Sequence, residues 1–145
     1  MLEHIGAIIV GLIGGVAVGI QGPLAGAMGQ KVGGVASSFI IHLSGALFSF
    51  VLLFARGGEA IGQWRSLPWY MLGAGIFGLI LYITVSQTLP KLGATSTVVL
   101  IIVGQLVVGL IIDQFGWLGV QPRSIDATRV LAMLLLCSGA YLIAR

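Results

Sequence analysis

Five apolar runs, each close to the ~20 residues that a helix needs to cross the hydrocarbon core of a bilayer, follow one another along this chain with only short breaks between them. They lie near 4–22, 34–55, 68–88, 94–113 and 127–144. Backbone in lipid must satisfy its own N–H and C=O groups, so runs this long and this poor in charge read as helices. The expected fold class is all-α integral membrane, with residues 1–145 forming a single domain of five transmembrane helices. Composition agrees: 8% of residues are charged and mean hydropathy is +1.12, whereas a soluble domain carries about 25% charge. So few charges cannot cover a globule in water.

The breaks carry turn chemistry and nearly all the charge: Gly22-Pro23 with Gly33-Gly34, Arg56-Gly57-Gly58-Glu59, Leu89 through Gly93 with Pro90, and Gly116 through Ser124 with Pro122. Trp64, Trp69, Tyr70 and Trp117 flank the runs, as aromatic residues do at headgroup level. Ala25-Gly26-Ala27 superficially resembles a signal-peptidase site, but Met1-Leu2-Glu3-His4 supplies no basic n-region, so the first run is expected to be a retained helix. Within that run Ala7, Gly11, Gly15 and Gly19 recur every four residues, a spacing used for close helix packing in lipid or for a path along one face.

Several function classes fall away. The seven Lys and Arg are scattered, leaving no basic patch for nucleic acid. The lone Cys137 excludes an intrachain disulfide. There is no CxxC or HExxH spacing, no plausible Ser/His/Asp arrangement and no glycine-rich loop after a strand. His4 and His42 alone are too little for a metal site. Enzyme activity, a cofactor and a metal are therefore not expected.

Lys and Arg normally mark the cytoplasmic side. Here Lys31, Lys91 and Arg145 fall on one side of a five-helix arrangement and Arg56, Arg65, Arg123 and Arg129 on the other. A balance of three against four permits insertion both ways round, and an odd helix number inverts any second copy relative to the first. Inverted pairs are a common transporter architecture, so an antiparallel ten-helix homodimer with dual topology is the expected assembly.

The polar residues inside the runs are the site candidates. His42, near the middle of the second run, shares a helical face with Ser38, Gly45 and Ser49. A polar group at that depth is costly and often functional. It either binds substrate or carries a proton, or it is a neutral histidine bonded to a neighbouring helix. Gln105, with Gly109 one turn on, either lines a pathway or bonds between helices. Tyr82 belongs to a partly polar stripe of Met71, Gly75, Gly78 and Ser86 that serves packing or offers a ring and hydroxyl to a solute. Asp113, at the end of the fourth run, opposes the helix dipole and calls for a basic partner, Arg123 or Arg129, in a structural or gating ion pair. Gln21, beside the Gly22-Pro23 break, is placed to line an entrance or cap exposed backbone.

Gly104-Gln105 through Asp113-Gln114-Phe115-Gly116 resembles the GQ…DxFG signature of the YdcZ family in the drug/metabolite transporter superfamily. Gln21, Ser38-Phe39 with Gly45, Pro68-Trp69-Tyr70 with Gly73, and Pro90-Lys91-Leu92-Gly93-Ala94 resemble the rest of its pattern, spanning almost the whole chain. The match departs at Pro23-Leu24-Ala25, where the family pattern has an Asn. The resemblance implies a five-helix half-unit of a superfamily whose larger members have ten helices.

Together these readings predict a secondary transporter of a small polar or amphiphilic organic solute, in a bacterial inner (plasma) membrane, working by alternating access as an antiparallel dimer. Its partners are the lipid bilayer, the solute and a second copy. A highly cationic cargo is disfavoured because no buried carboxylate would neutralise it. The alternative is a non-transporting membrane subunit that pairs with a different membrane protein.

Overall fold

The computed structural model describes residues 2–145, with side chains from His4 onward, and these residues form helices joined by short turns and irregular connections. Four long helices dominate: α1 (Leu2–Val32), α2 (Gly34–Ala55), α4 (Gly75–Phe115) and α5 (Ala127–Ala144). A single turn, α3 (Trp69–Leu72), precedes α4, and short 3₁₀ segments occupy Ile61–Ser66 and Trp117–Gly119. Four continuous apolar stretches are long enough to cross a membrane: His4–Val32, Gly34–Ala55, Trp69–Phe115 and Ala127–Ala144. The third has 47 residues, about 70 Å at 1.5 Å per residue, more than twice a hydrocarbon core of ~30 Å.

That stretch is interrupted at Gly93, whose φ of 76° and ψ of 171° are not helical. L side chains are essentially barred from this part of backbone space, so the glycine ends one helical limb (75–92) and opens another (94–115). The described chain thus presents four to five apolar helices. Pro90 lies inside the first limb rather than at its end, so of the Leu89 through Gly93 break it is Gly93 that interrupts the helix.

The expected break at Gly22-Pro23 is corrected. α1 runs through Pro23 to Val32, 31 residues in all. A proline inside a helix removes one N–H and crowds the carbonyl four residues back, but the residue there is Gly19 and the residue before the ring is Gly22, so no side chains add to the crowding. Membrane helices tolerate such a proline, and burial of the following turn keeps it helical. Gly33, with φ 90° and ψ 149°, is where the chain departs from α1, and Ser37 Oγ donates to the Ala25 carbonyl at 2.8 Å. A bond between residues on either side of that break requires the chain to fold back.

The chain divides into two compact units, Met1–Lys91 and Leu92–Arg145. In the first, the second half of α1, the start of α2 and the 75–92 limb meet in a seam of small residues. Ala25, Ser37, Ser38 and Val85 are essentially fully buried, with Gly26, Gly29, Tyr82 and Ser86 beside them. A methyl group added at Gly29 would sit 2.5 Å from Ser86 Cβ, and one at Gly34 2.5 Å from Ser86 Oγ. Gly26 is packed as tightly against Leu89 and Val85. Helices in lipid associate by such close backbone approach. The expected stripe of Gly11, Gly15 and Gly19 takes no part: nothing lies within 4 Å of where their side chains would be.

In the second unit the 94–115 limb packs on α5 around Ser96, Thr97 and Ala140, and Ser96 Oγ donates to the Ile143 carbonyl at 3.3 Å. α5 begins at Asp126, whose carboxylate accepts from the Arg129 N–H at 2.8 Å, an N-cap that satisfies one of the free donors of the first turn.

Candidate functional site

In the first unit, α2 and the 75–92 limb bring His42, Ser38, Gly78 and Tyr82 together. Their helical spacing is the cause: Ser38 and His42 are one turn apart on α2, and Gly78 and Tyr82 one turn apart on the limb, so each pair shares a face. Nδ1 of His42 lies 2.7 Å from the Ser38 carbonyl oxygen and 3.2 Å from Ser38 Oγ. A carbonyl only accepts, so Nδ1 carries the proton and donates. The Tyr82 ring stands nearly perpendicular to the imidazole, 5.6 Å between centroids at 70°, a favoured aromatic geometry. The remaining ring nitrogen, Nε2, faces Gly78, where an added methyl would come within 2.5 Å of it. Among the described residues Nε2 has no hydrogen-bond partner.

Tyr82 and Ser38 are buried while His42 itself is exposed in the single chain. The imidazole thus sits at the edge of the seam, tied to Ser38 through Nδ1 and packed against Gly78 through Nε2. Ser49, on the same stretch of α2, is separate from this cluster: it lines an open groove of about 500 Å³ with Ala46, Phe50, Leu52, Leu53 and Glu59. Gly45 has nothing within 4 Å. Of the expected face, then, Ser38 and His42 contact the limb and Ser49 does not.

Three polar contacts in the first unit were not among the sequence candidates. Gln30 Nε2 donates to the Ser86 carbonyl, Ser86 Oγ to the Ile83 carbonyl at 2.7 Å, and Ser37 Oγ to the Ala25 carbonyl. Gln30 was assigned to a connection by the expected break at Pro23, and the Ser37-Ser38 doublet was the signal available for Ser37. Gln21, expected beside a helix break, is instead an exposed residue within continuous α1.

In the second unit Asp113 Oδ2 accepts from Arg129 Nη1 at 3.1 Å, each side chain about 30% exposed (32% and 28%). Arg123 engages Asp113 through backbone only, its N–H donating to the Asp113 carbonyl at 2.7 Å. Gln114 Oε1 accepts from the Ile125 N–H at 2.8 Å. Cation and backbone N–H both meet the negative end of the helix, where the dipole favours positive charge. Gln105 is exposed and makes no side-chain hydrogen bond among the described residues. Those residues also contain no cluster of three metal-ligating side chains.

Long apolar helices, close helix contacts through small residues and an ion pair at a helix end define a helical, multi-spanning membrane protein. The chain matches the family described as "Putative inner membrane exporter, YdcZ" over residues 6–142, and it belongs to that family. It is 30% identical over 100 residues to "Inner membrane protein YdcZ" of Escherichia coli (strain K12), a match covering 68% of this chain and 66% of that protein. No solved structure matches. The protein is therefore an integral inner-membrane protein, and the family description is that of a transporter rather than an enzyme.

Proposed function

We propose that this chain is a secondary transporter that moves a small polar or amphiphilic organic solute out across the inner membrane, by alternating access, as an antiparallel dimer with His42, Ser38 and Tyr82 at its solute site. The observation that carries this reading is the His42 imidazole: its Nδ1–H is held by Ser38, Nε2 has no hydrogen-bond partner among the described residues, and the residue is exposed in the single chain. A polar group at that depth, costly against lipid, is stabilised where it faces protein or a water-filled path. The family's description as an exporter supports the direction.

Five crossings follow if the 47-residue stretch passes through the bilayer twice, with Gly93 as the interruption. Lys31, Lys91 and Arg145 then oppose Arg56, Arg65, Arg123 and Arg129, a balance that lets two copies insert in opposite senses. The second copy supplies the other half of the site, as inverted repeats do in larger transporters. In the second unit the Asp113–Arg129 pair holds the connection between the 94–115 limb and α5.

Two measurements test the proposal together. Reporters fused to the C-terminus should be found on both faces of the membrane; a reporter confined to one face removes the dual-topology dimer. Purified protein in liposomes should show saturable, counterflow-competent uptake of a solute from a screened library. A chain stable only with a different membrane protein, and without solute binding of its own, would establish the subunit alternative instead.

A further inference from the structure

We propose that the groove beside the C-terminal half of α2 holds a membrane lipid, and that the Arg56–Glu59 pair at its end selects one with an ammonium beside its phosphate, a diacyl phosphatidylethanolamine. The assignment does not depend on the transporter reading, because none of the groove residues belongs to the His42 cluster.

The groove is made by the way the chain leaves α2. Ala46, Ser49, Phe50 and Leu53 recur at helical spacing and share one face. Beyond the helix end Gly57 and Gly58 have φ of 73° and 83°, values that glycine adopts freely, and the Gly58 N–H donates back to the Leu53 carbonyl at 2.8 Å. The chain is thereby turned back on the helix end. Glu59, itself at φ 45°, comes to lie with Leu52 and Leu53 on the wall of an open groove of about 500 Å³. That volume is within the range of small-molecule sites, and apart from Glu59 and Ser49 the lining is apolar.

What fits is set by charge and by the order of groups. Arg56 Nη1 donates to Glu59 Oε1 at 3.1 Å, with the two side chains 74% and 55% exposed, so the pair is weak in itself and both groups are open to a third. They stand in the connection after α2, where charge and the following Trp64 mark headgroup level. From there the groove runs back to Ala46, ~15 Å along the helix at 1.5 Å per residue, into hydrocarbon. Between the two ends Ser49 is exposed, and its hydroxyl makes no hydrogen bond among the described residues, whereas Ser44 in the same helix donates to the Ile41 carbonyl at 3.0 Å. A hydroxyl facing hydrocarbon without a partner is unfavourable. Charges, then a hydroxyl, then an apolar floor match the groups of a diacyl phospholipid. The phosphate accepts from Arg56, the headgroup ammonium donates to Glu59, an ester carbonyl accepts from Ser49 Oγ, and an acyl chain lies against Ala46, Phe50 and Leu53. The presence of both signs discriminates among headgroups: phosphatidylglycerol leaves Glu59 facing an anion, and choline has no N–H to donate to it.

The test uses the full chain, delipidated in mild detergent, with dioleoyl phosphatidylethanolamine, phosphatidylcholine or phosphatidylglycerol added back and bound lipid counted by native mass spectrometry. Wild type should bind the ethanolamine lipid about tenfold more tightly than either of the others, the worth of one charge-assisted hydrogen bond. Glu59→Gln should lose the preference over phosphatidylcholine. Arg56→Gln should weaken all three lipids, as should Ala46→Phe, which fills the groove and leaves both charges in place. Arg65→Gln, which removes a cation outside the groove, should behave as wild type. Equal binding of ethanolamine and choline lipids by wild type overturns the proposal, as does a preference that survives in Glu59→Gln. Arg65→Gln weakening lipid as much as Arg56→Gln also overturns it, by reducing the site to a general attraction of lipid to basic residues. A second copy is the other occupant to test: Phe50→p-benzoylphenylalanine, photolysed in membranes, should label lipid and leave the chain monomeric on a denaturing gel, and a crosslinked dimer overturns the lipid assignment. The wild-type headgroup comparison needs no variant, so a substitution that costs the fold, seen by circular dichroism, does not shield the proposal.

Discussion

His42 and Ser38 are joined by a 2.7 Å contact from Nδ1 to the carbonyl oxygen one turn back in α2, and the opposite nitrogen of the ring, Nε2, lies against Gly78 on the 75–92 limb. Gly78→Ala should therefore destabilise the protein, because its methyl would stand 2.5 Å from Nε2 of a ring that Ser38 holds in place, and overpacking of this kind costs about 1–3 kcal/mol. Unfolding in mild detergent should be easier for Gly78→Ala than for wild type, and the added loss should shrink in a His42→Ala background, where the ring is gone. A loss of the same size in both backgrounds would mean that the ring does not pack against Gly78.

The seam between α1, α2 and the 75–92 limb predicts a contrast between glycines. Gly29→Ala drives a methyl to within 2.5 Å of Ser86 Cβ, and overpacking of this kind costs about 1–3 kcal/mol. Gly15→Ala adds its methyl to open space and gains helix propensity of up to about 1 kcal/mol. Unfolding in mild detergent should thus be easier for Gly29→Ala than for wild type, and no easier for Gly15→Ala. If both variants are equally destabilised, the first half of α1 packs against something in the working protein that its own chain does not supply.

That contrast also marks where the fold was legible in the sequence. Apolar runs located α2 and α5 almost to the residue, because length and hydropathy dominate helix formation in lipid. The Gly22-Pro23 pair read as a break and was not one, since tertiary burial at Ala25, Gly26 and Gly29 outweighs a local turn signal. With the break misplaced, Gln30 was read as a loop residue, although it bonds the Ser86 carbonyl. The His42 and Tyr82 faces could be drawn from helical periodicity alone, but which atom of His42 is free depends on its rotamer, which periodicity does not contain. Ser49 shares the face of Ser38 and His42 on a helical wheel, yet it lies about two turns beyond His42, against a different part of the chain.

Gly93 should be intolerant of side chains. Its φ of 76° and ψ of 171° lie in a region open essentially to glycine, and holding another residue there costs about 1–3 kcal/mol. There is nothing within 4 Å of a methyl placed on it, so the penalty is one of backbone conformation and not of crowding. Gly93→Ala and Gly93→Val should then be destabilised to a similar degree in thermal unfolding, with the bulkier side chain adding little. A steep increase from Ala to Val would mean that the space around Gly93 is filled in the assembled protein.

Asp113 and Arg129 should matter more for the α4–α5 connection than for global stability. Their 3.1 Å contact is partly exposed, and pairs of that kind are worth at most about 1 kcal/mol; a double-mutant cycle with Asp113→Asn and Arg129→Gln should give a coupling energy no larger. Residues 116–126 are held by that pair at one end, by the Arg123 N–H on the Asp113 carbonyl, and by Gln114 on the Ile125 N–H. Asp126→Ala removes the N-cap of α5, a loss of about 1 kcal/mol, and leaves the ion pair intact. Limited proteolysis should therefore cut within 116–126 faster in Arg129→Gln than in wild type. If the pair also gates the transport path, Arg129→Gln will change the transport rate while Asp126→Ala, with a comparable loss of stability, will not. Equal effects of the two on transport would reduce the pair to a loop tether, because stability would then account for both.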